Sequence, residues 1–352
     1  LVQKRRCSNY VSGDRIENTS FVKTICIDLA GGFFMLLGIP RGFFYYEYVS
    51  FINKLFQDTD VTIISGQENN ESTLKIGGRL TVDEACLPVK LFVGQVETLC
   101  SQCDKVLILR VMKDHSGGWL CPKLLGLPEL SSRITEGKKL LVTEPIYFNN
   151  KNKAKKALRH MFKKLGIKRD IFERNFEKAY GDQMKVTLGV KKSHVEAAWE
   201  FMPDPPREGE ILLPNTKKVL VLGHCYNVYD KFANCDIMKK LDDLAISAVT
   251  GSELTQSRRE EAVKRLDLEK KPFWEAFVRI VGTAMELKNN VDGIIYLSSF
   301  SCGIDSLISE ILKTHLKEIP MMMLKLDEHR GQAGLQTRLE AFSDLLDKRR
   351  SA

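Results

Sequence analysis

Short runs of strand length alternate with helix-length segments in two separate blocks of this chain, and that doubled alternation limits what it can fold into. In the first block FMLLGIP (34–40), VTIIS (61–65), KVLILRV (105–111) and KLLVTEP (139–145) read as buried strands. Between them lie FFYYEYVSFINKLF (43–56), with helical apolar spacing, and the amphipathic CLPVKLFVGQVETLC (86–100). Pro88 falls in the first turn of the latter, where its missing N–H is harmless. The second block offers KKVLVLGH (217–224), AISAVT (245–250), VDGIIYLSS (291–299) and PMMMLKLD (320–327) as strands. Its helices are YDKFANCDIMKKLDDL (229–244), KPFWEAFVRIVGTAMELKNN (271–290), DSLISEILKTHL (305–316) and GQAGLQTRLEAFSDLLDKRR (331–350). Strands joined by crossovers of this length run parallel, so each block predicts a parallel sheet flanked by helices.

A chain of 352 residues is too long for one ordinary core. The expected architecture is therefore α/β, with two Rossmann-like (flavodoxin-like) lobes facing a central cleft. The expected boundaries are a tail or linker at 1–33, a first lobe at 34–146, a helical insert and linker at 147–213, and a second lobe at 214–352. The insert is rich in helix formers and closes on PDPPREGEILLP (203–214), whose four prolines mark a linker.

Hydrophobic content of 43% and charged content of 28% describe a soluble globular protein. A formal charge of +8 permits a phosphate-bearing or acidic partner without demanding nucleic acid, and no nucleic-acid-binding motif is present. The basic run 151–169 reads as a solvated helix face, or as a docking site for an acidic partner or a coenzyme A phosphate. The apolar run Ile25 to Ile39 contains Asp28 and is too short to span a bilayer, so no membrane association is expected. The chain begins with Leu1 rather than Met, as a trimmed or incomplete N-terminus would. Nine scattered cysteines do not make a secreted disulfide scaffold. They suggest a reducing cytoplasm, with the thiols free or bound to metal.

Open α/β sheets bind ligands at the carboxyl ends of their strands. Cys121 and Cys302 each lie after the third strand of a block, and Cys86 lies at a helix start. With the lobes face to face, these three thiols can meet in the cleft, and helix N-termini favour thiolate. One reading is an iron–sulfur cluster, in which three protein thiolates leave one iron open. Another is three buried thiols acting as small hydrophobes. A third is a Cys₃His zinc module completed by His115, His224 or His329. CSQC (100–103) is the one CxxC; with no second pair it is set aside. Other strand-end candidates for ligand binding are Arg41, His224, Asn227 and Glu328, with His329 and Arg330 beside it.

The segments LLGIPRGFFYYEY, DEACLPVKLFVGQVETL, CPKLLGLPEL, VLGHCYNVYD, VDGIIYLSSFSCGIDSLISEIL and LKLDEHRGQAGLQTRLEAF follow in this order from about residue 36 to 347. The chain in this respect resembles the activase-related proteins that accompany 2-hydroxyacyl-CoA dehydratases. These share a superfamily with the dehydratase iron–sulfur subunits and the double-cubane cluster proteins. The resemblance implies that Cys86, Cys121 and Cys302 are cluster ligands. It implies a 4Fe–4S cluster, alone or as half of a double cubane, in an oxygen-sensitive protein. It also implies a separate ATP-dependent activase as partner, and low-potential electron transfer or reductive radical chemistry on an acyl-CoA-like substrate. A non-catalytic electron relay or accessory partner is the alternative, and a homo- or heterodimer is compatible with either. Two departures stand out. The family pattern Gly-His-Pro-Tyr-Asn reads GHCYN here, so Cys225 replaces a proline and becomes either a fourth ligand or a tolerated thiol. The pattern Cys-Gly-Pro-Asp-Ser reads CGIDS. No Walker-type or activase-like Gly-rich phosphate loop is present, which assigns any ATP work to the partner.

Overall fold

Runs such as Val219–Leu222 and Gly293–Leu297, apolar at nearly every position, suit strands covered on both faces, and they lie at the centre of their sheet. The computed structural model describes residues 34–187 and 216–351, apart from 138, 253, 271, 330 and 331. The expected N-terminal tail, the end of the expected helical insert from residue 188 and the whole proline-rich linker lie outside the described residues.

The first lobe contains β1 (Met35–Ile39), β2 (Val61–Ser65), β3 (Lys105–Ile108), β4 (Val111–Lys113), β5 (Leu140–Val142) and β6 (Ile146–Tyr147). Four of these form a parallel sheet in the order β2-β1-β3-β5, and β4 pairs with β6 in a small parallel extension. The second lobe contains β7 (Lys217–Gly223), β8 (Ile246–Val249), β9 (Gly293–Ser299) and β10 (Met321–Leu326), again all parallel, in the order β10-β9-β7-β8. Each sheet thus winds outward from its first strand in two directions, which opens a crevice at the carboxyl ends of the first and third strands.

Helices α1 (Tyr45–Leu55), α2 (Glu71–Leu80), α3 (Leu87–Gln102), α4 (Pro122–Leu125) and α5 (Leu127–Ile134) belong to the first lobe. The insert supplies α6 (Lys151–Lys164) and α7 (Arg169–Thr187), which pack back on it through the stacked Phe56–Phe162 pair and the Asn175 amide on Leu55 O. The second lobe adds α8 (Cys225–Val228), α9 (Ile237–Asp243), α10 (Gln256–Lys264), α11 (Glu275–Leu287), α12 (Gly303–His315) and α13 (Gln332–Ser351). None of the described helices is long and apolar enough to cross a membrane.

One hydrophobic cluster spans both lobes, from Leu37 and Val106 to Val219, Val221 and Leu297, and a second, around Leu220, Phe277, Ile294 and Tyr296, belongs to the second lobe. Polar contacts cross the same seam. The Tyr46 hydroxyl donates to Asp230 Oδ2 at 3.2 Å, and the Asn69 amide donates to the same oxygen.

The 229–244 segment is helical only in α9. Upstream, Asp230 Oδ1 accepts the N–H groups of Phe232 and Ala233, each at 3.0 Å, and so organises a turn. The turn ends with Cys235 and Asp236 in the left-handed region, at φ +57° and +55°. Side-chain capture of the backbone overrides the apolar spacing there. Helices α2, α4, α5, α8 and α10 were not assigned from the sequence, and two of them start at a capping side chain. Asn70 starts α2 by accepting Thr73 N–H at 3.0 Å, and Thr255 starts α10 by accepting Arg258 N–H at 3.3 Å.

The α2–α3 contact fixes α3, whose start carries Cys86. A Cβ on Gly77 would stand 1.7 Å from Lys90 O, and one on Gly94 would stand 2.1 Å from Thr73 O. The two helices meet backbone to backbone, which only glycine permits. Gly94→Ala should therefore destabilise the protein in urea titrations by about 1–3 kcal/mol. Gly78→Ala, with nothing within 4 Å of its Cβ, should be neutral or stabilising. Equal effects from the two substitutions would contradict this packing.

Candidate functional site

Three helices start on a cysteine at the seam. Cys86 is the N-cap of α3, Cys121 of α4 and Cys302 of α12. Pro88 and Pro122 stand in the first turns of α3 and α4, where a free N–H is not needed. In α12 the Cys302 sulfur itself accepts the Asp305 N–H at 3.5 Å, in the role a Ser oxygen usually takes.

A lysine ties the three starts together. Lys123 Nζ donates to Glu84 O at 3.3 Å and to Ser301 O at 3.0 Å, and Ser301 Oγ donates to the same Glu84 O at 2.7 Å. These residues lie one or two positions from Cys121, Cys86 and Cys302. The clasp therefore joins both lobes at the thiols. Ser301 holds φ +63°, a strained value for a residue with a Cβ, immediately before Cys302. The sulfurs lie within reach of one another's charge: Cys86 feels Cys121, Cys302 feels both, and the Tyr226 hydroxyl feels all three.

Burial pushes the Cys86 thiol up, against the pull of Lys123. Burial pushes Cys302 to about 12, with the Asp305 carboxylate adding to the shift. Both are thus protonated at neutral pH, and a metal must displace their protons to bind.

His224 caps α8 and stacks on Tyr226, with ring centroids 4.8 Å apart and planes 8° from parallel. His224 Nε2 lies 3.1 Å from Asp305 Oδ1. The approach is poorly aligned, so Nε2 is left without a formed hydrogen bond. The Asp305 oxygens instead accept the Tyr296 hydroxyl at 2.6 Å and the Ser299 N–H at 2.9 Å. Burial works against its charge, but the nearby His224 and these donors hold the carboxyl below the usual carboxylate range. Ligand atoms of His224, Cys302 and Asp305 all lie within 4.8 Å of one another, a grouping that could hold a metal ion. His224 and Cys302 follow β7 and β9, the first and third strands of their sheet, so the grouping stands at the crevice.

The remaining candidates have other surroundings. Arg41 is buried and pairs with Glu68 at 2.9 Å. Asn227 is fully buried; its Oδ1 accepts the Ser299 hydroxyl at 3.0 Å, which fastens α8 to β9. Glu328 receives Lys90 of α3 in an ion pair across the seam. The Cys225 thiol donates to Glu47 Oε1 at 3.3 Å, and burial together with Glu47 pushes it well above its ordinary range. It therefore faces Glu47, although it lines the same crevice as Cys121. His115 packs among Tyr48, Phe148 and Tyr180, and His329 is exposed. Arg330 lies outside the described residues. In the basic run, Lys151 and Lys155 pair with Glu173 and Glu177 of α7, as a solvated helix face does.

A second charged group was not anticipated. Arg279 contacts both Glu47 and Glu275, the latter at 3.0 Å, and Asp114 and Arg259 stand close by. Its one sequence sign is Glu47, a lone carboxylate among the aromatics of FFYYEYVSF.

These features define a two-lobed α/β protein with a thiol-rich site where the lobes meet. The sequence model of the family described as CoA enzyme activase uncharacterised domain matches residues 37–254, more than half of the chain, and the chain belongs to that family. The match includes Cys86, Cys121 and Cys225 and ends before Cys302. No curated protein matches the chain significantly.

The charged group has a pH signature. Burial raises the Glu275 carboxyl from 4.5 to about 7, and burial raises Asp114 from 3.8 to about 6. A folded pKa above the unfolded one means stability is full below pH 4.5 and declines as pH rises through about 7. Glu275→Gln should remove up to about 1.4 kcal/mol per pH unit from that decline. Urea midpoints at pH 5, 6, 7 and 8 measure it, and an unchanged slope would contradict the assignment.

Proposed function

We propose that the protein carries an iron–sulfur cluster on Cys86, Cys121 and Cys302. In this reading it works beside a separate ATP-dependent activase, in low-potential electron transfer or reductive radical chemistry on an acyl-CoA-like substrate. One observation carries the reading: three thiols from both lobes start helices around a single lysine clasp. The donor set fits, since soft sulfur ligands suit iron–sulfur clusters and three of them leave one position open. Cys225 is committed to Glu47, which favours three protein ligands over four.

When bound, the cluster would supply a one-electron centre. The protein's own groups would do the rest. Tyr226 and the stacked His224 stand beside the thiols, whose charge the Tyr226 hydroxyl feels. Lys123 favours the thiolate of Cys86 by its positive charge. Asp305 fixes the first turn of α12, and with it Cys302. A smaller crevice of about 30 Å³ reaches Cys121 between Phe43, Trp119 and Trp274 and gives a narrow approach to the site.

The grouping of His224 with Cys302 and Asp305 favours a second reading, a zinc centre. Metal and acid-labile sulfide analysis after anaerobic purification separates the two: iron with sulfide supports the first reading, and zinc without sulfide the second. Turnover with an activase, ATP and an acyl-CoA then separates an enzyme from an electron relay.

Replacing Cys86, Cys121 or Cys302 by Ser should each remove most of the bound iron and the associated visible absorbance, because a serine oxygen is a poorer donor to iron. Cys100→Ser, Cys103→Ser, Cys225→Ser and Cys235→Ser should leave both nearly unchanged. The assignment fails if the first three variants keep the iron and sulfide of the parent while another cysteine proves essential.

A further inference from the structure

A cavity of about 120 Å³ lies where the segments after β7 and β8 meet α1 and the loop after β4. It thus stands at the carboxyl ends of two parallel strands, the usual ligand position in such sheets. Its charges do not balance locally. Arg279 contacts both Glu47 and Glu275, and Asp114 also lines the wall, so three carboxylates face two guanidiniums. Burial with mutual repulsion raises Glu275 to about 7 and Asp114 to about 6, which moves two of the three toward the neutral form. Arg259 has only neutral partners: its Nε donates to the Thr283 hydroxyl at 3.1 Å and its Nη2 to Gly251 O at 2.9 Å. Arg259 is half-buried in the cavity wall, and no carboxylate among the described residues contacts it; burial and the nearby Arg279 lower it to about 10, against the pull of Glu275 and Glu47.

Partly burying a cation with no anion in contact is costly. The structure nonetheless holds this one by two hydrogen bonds, through Nε and Nη2. Such a preorganised fork matches a planar carboxylate. The rest of the wall includes Val228, Leu254 and Ile280, which suit a short aliphatic chain. Glu47, Asp114 and Glu275 also line it, and the charge that remains on them disfavours a polyanion such as phosphate more than a monoanion.

We propose that this cavity binds a small organic monocarboxylate, with its carboxylate on Arg259 and its aliphatic part against Val228 and Ile280. The site is distinct from the thiol trio. It shares Glu47, Cys225, Glu275 and Arg279 with the crevice that leads to Cys121, so a bound carboxylate would sit beside the approach to the thiols. The proposal does not depend on the cluster.

The test is calorimetric titration of the full-length protein with butyrate, its neutral isostere butyramide, and inorganic phosphate, each with and without loaded iron. Butyrate should bind saturably in both preparations and butyramide should not. Arg259→Met should weaken butyrate binding about tenfold or more, the loss expected of a charge-assisted bidentate pair. Arg258→Met, at an exposed arginine paired with Glu286, should leave binding unchanged. Leu254→Trp keeps the guanidinium but fills the cavity, and should also abolish binding. The proposal is overturned by no saturable butyrate binding, by equal binding of butyramide, by phosphate binding more tightly than butyrate, or by full butyrate affinity in a folded Arg259→Met variant.

Discussion

Parallel strands deliver every carboxyl end to the same edge of their sheet, and here two sheets bring those edges to one seam. All else at the seam follows from that constraint. Loops that would otherwise face solvent face another lobe, so their polar groups must find partners there or remain unsatisfied. The Lys123 ammonium on two backbone carbonyls, Asp230 with the Tyr46 hydroxyl and the Asn69 amide, and Lys90 with Glu328 are all solutions to that problem. Each also locks the spacing of the lobes. Helix starts that carry Cys86, Cys121 and Cys302 are held at a fixed separation because the backbone around them is held.

The same seam is electrostatically expensive. Glu47, Asp114, Glu275, Arg259 and Arg279 stand together, and burial, with repulsion from neighbouring carboxylates, raises the two carboxyls of Asp114 and Glu275 toward neutrality. Stability does not require such a group, since a well-packed apolar seam would hold the lobes at least as firmly. Its position beside a cavity and one crevice away from Cys121 points to a role in binding.

The strands were legible because buried parallel strands are apolar throughout, as in VLVL (219–222) and GIIYL (293–297). The long helices were legible by their spacing. Helix α2 was hidden by its Gly77–Gly78 pair and α10 by its polarity, and both begin at a capping side chain whose effect is local. The 229–244 stretch has helical spacing, yet Asp230 diverts its first half into a turn. The cysteines stood out through their Pro and Gly neighbours. What ties their loops did not, because Lys123 and Ser301 bond to backbone carbonyls, and a carbonyl leaves no mark on a sequence. The charged group around Arg279 draws on α1, the loop after β4 and α11, and no local pattern links segments so far apart.

The central claim is that the lobes bring three cysteine sulfurs to one iron–sulfur cluster. Iron K-edge X-ray absorption on anaerobically purified protein tests it most directly. The account predicts a first shell dominated by sulfur, together with iron–iron scattering from a polynuclear cluster. A first shell of nitrogen and oxygen with no iron–iron scattering would contradict it.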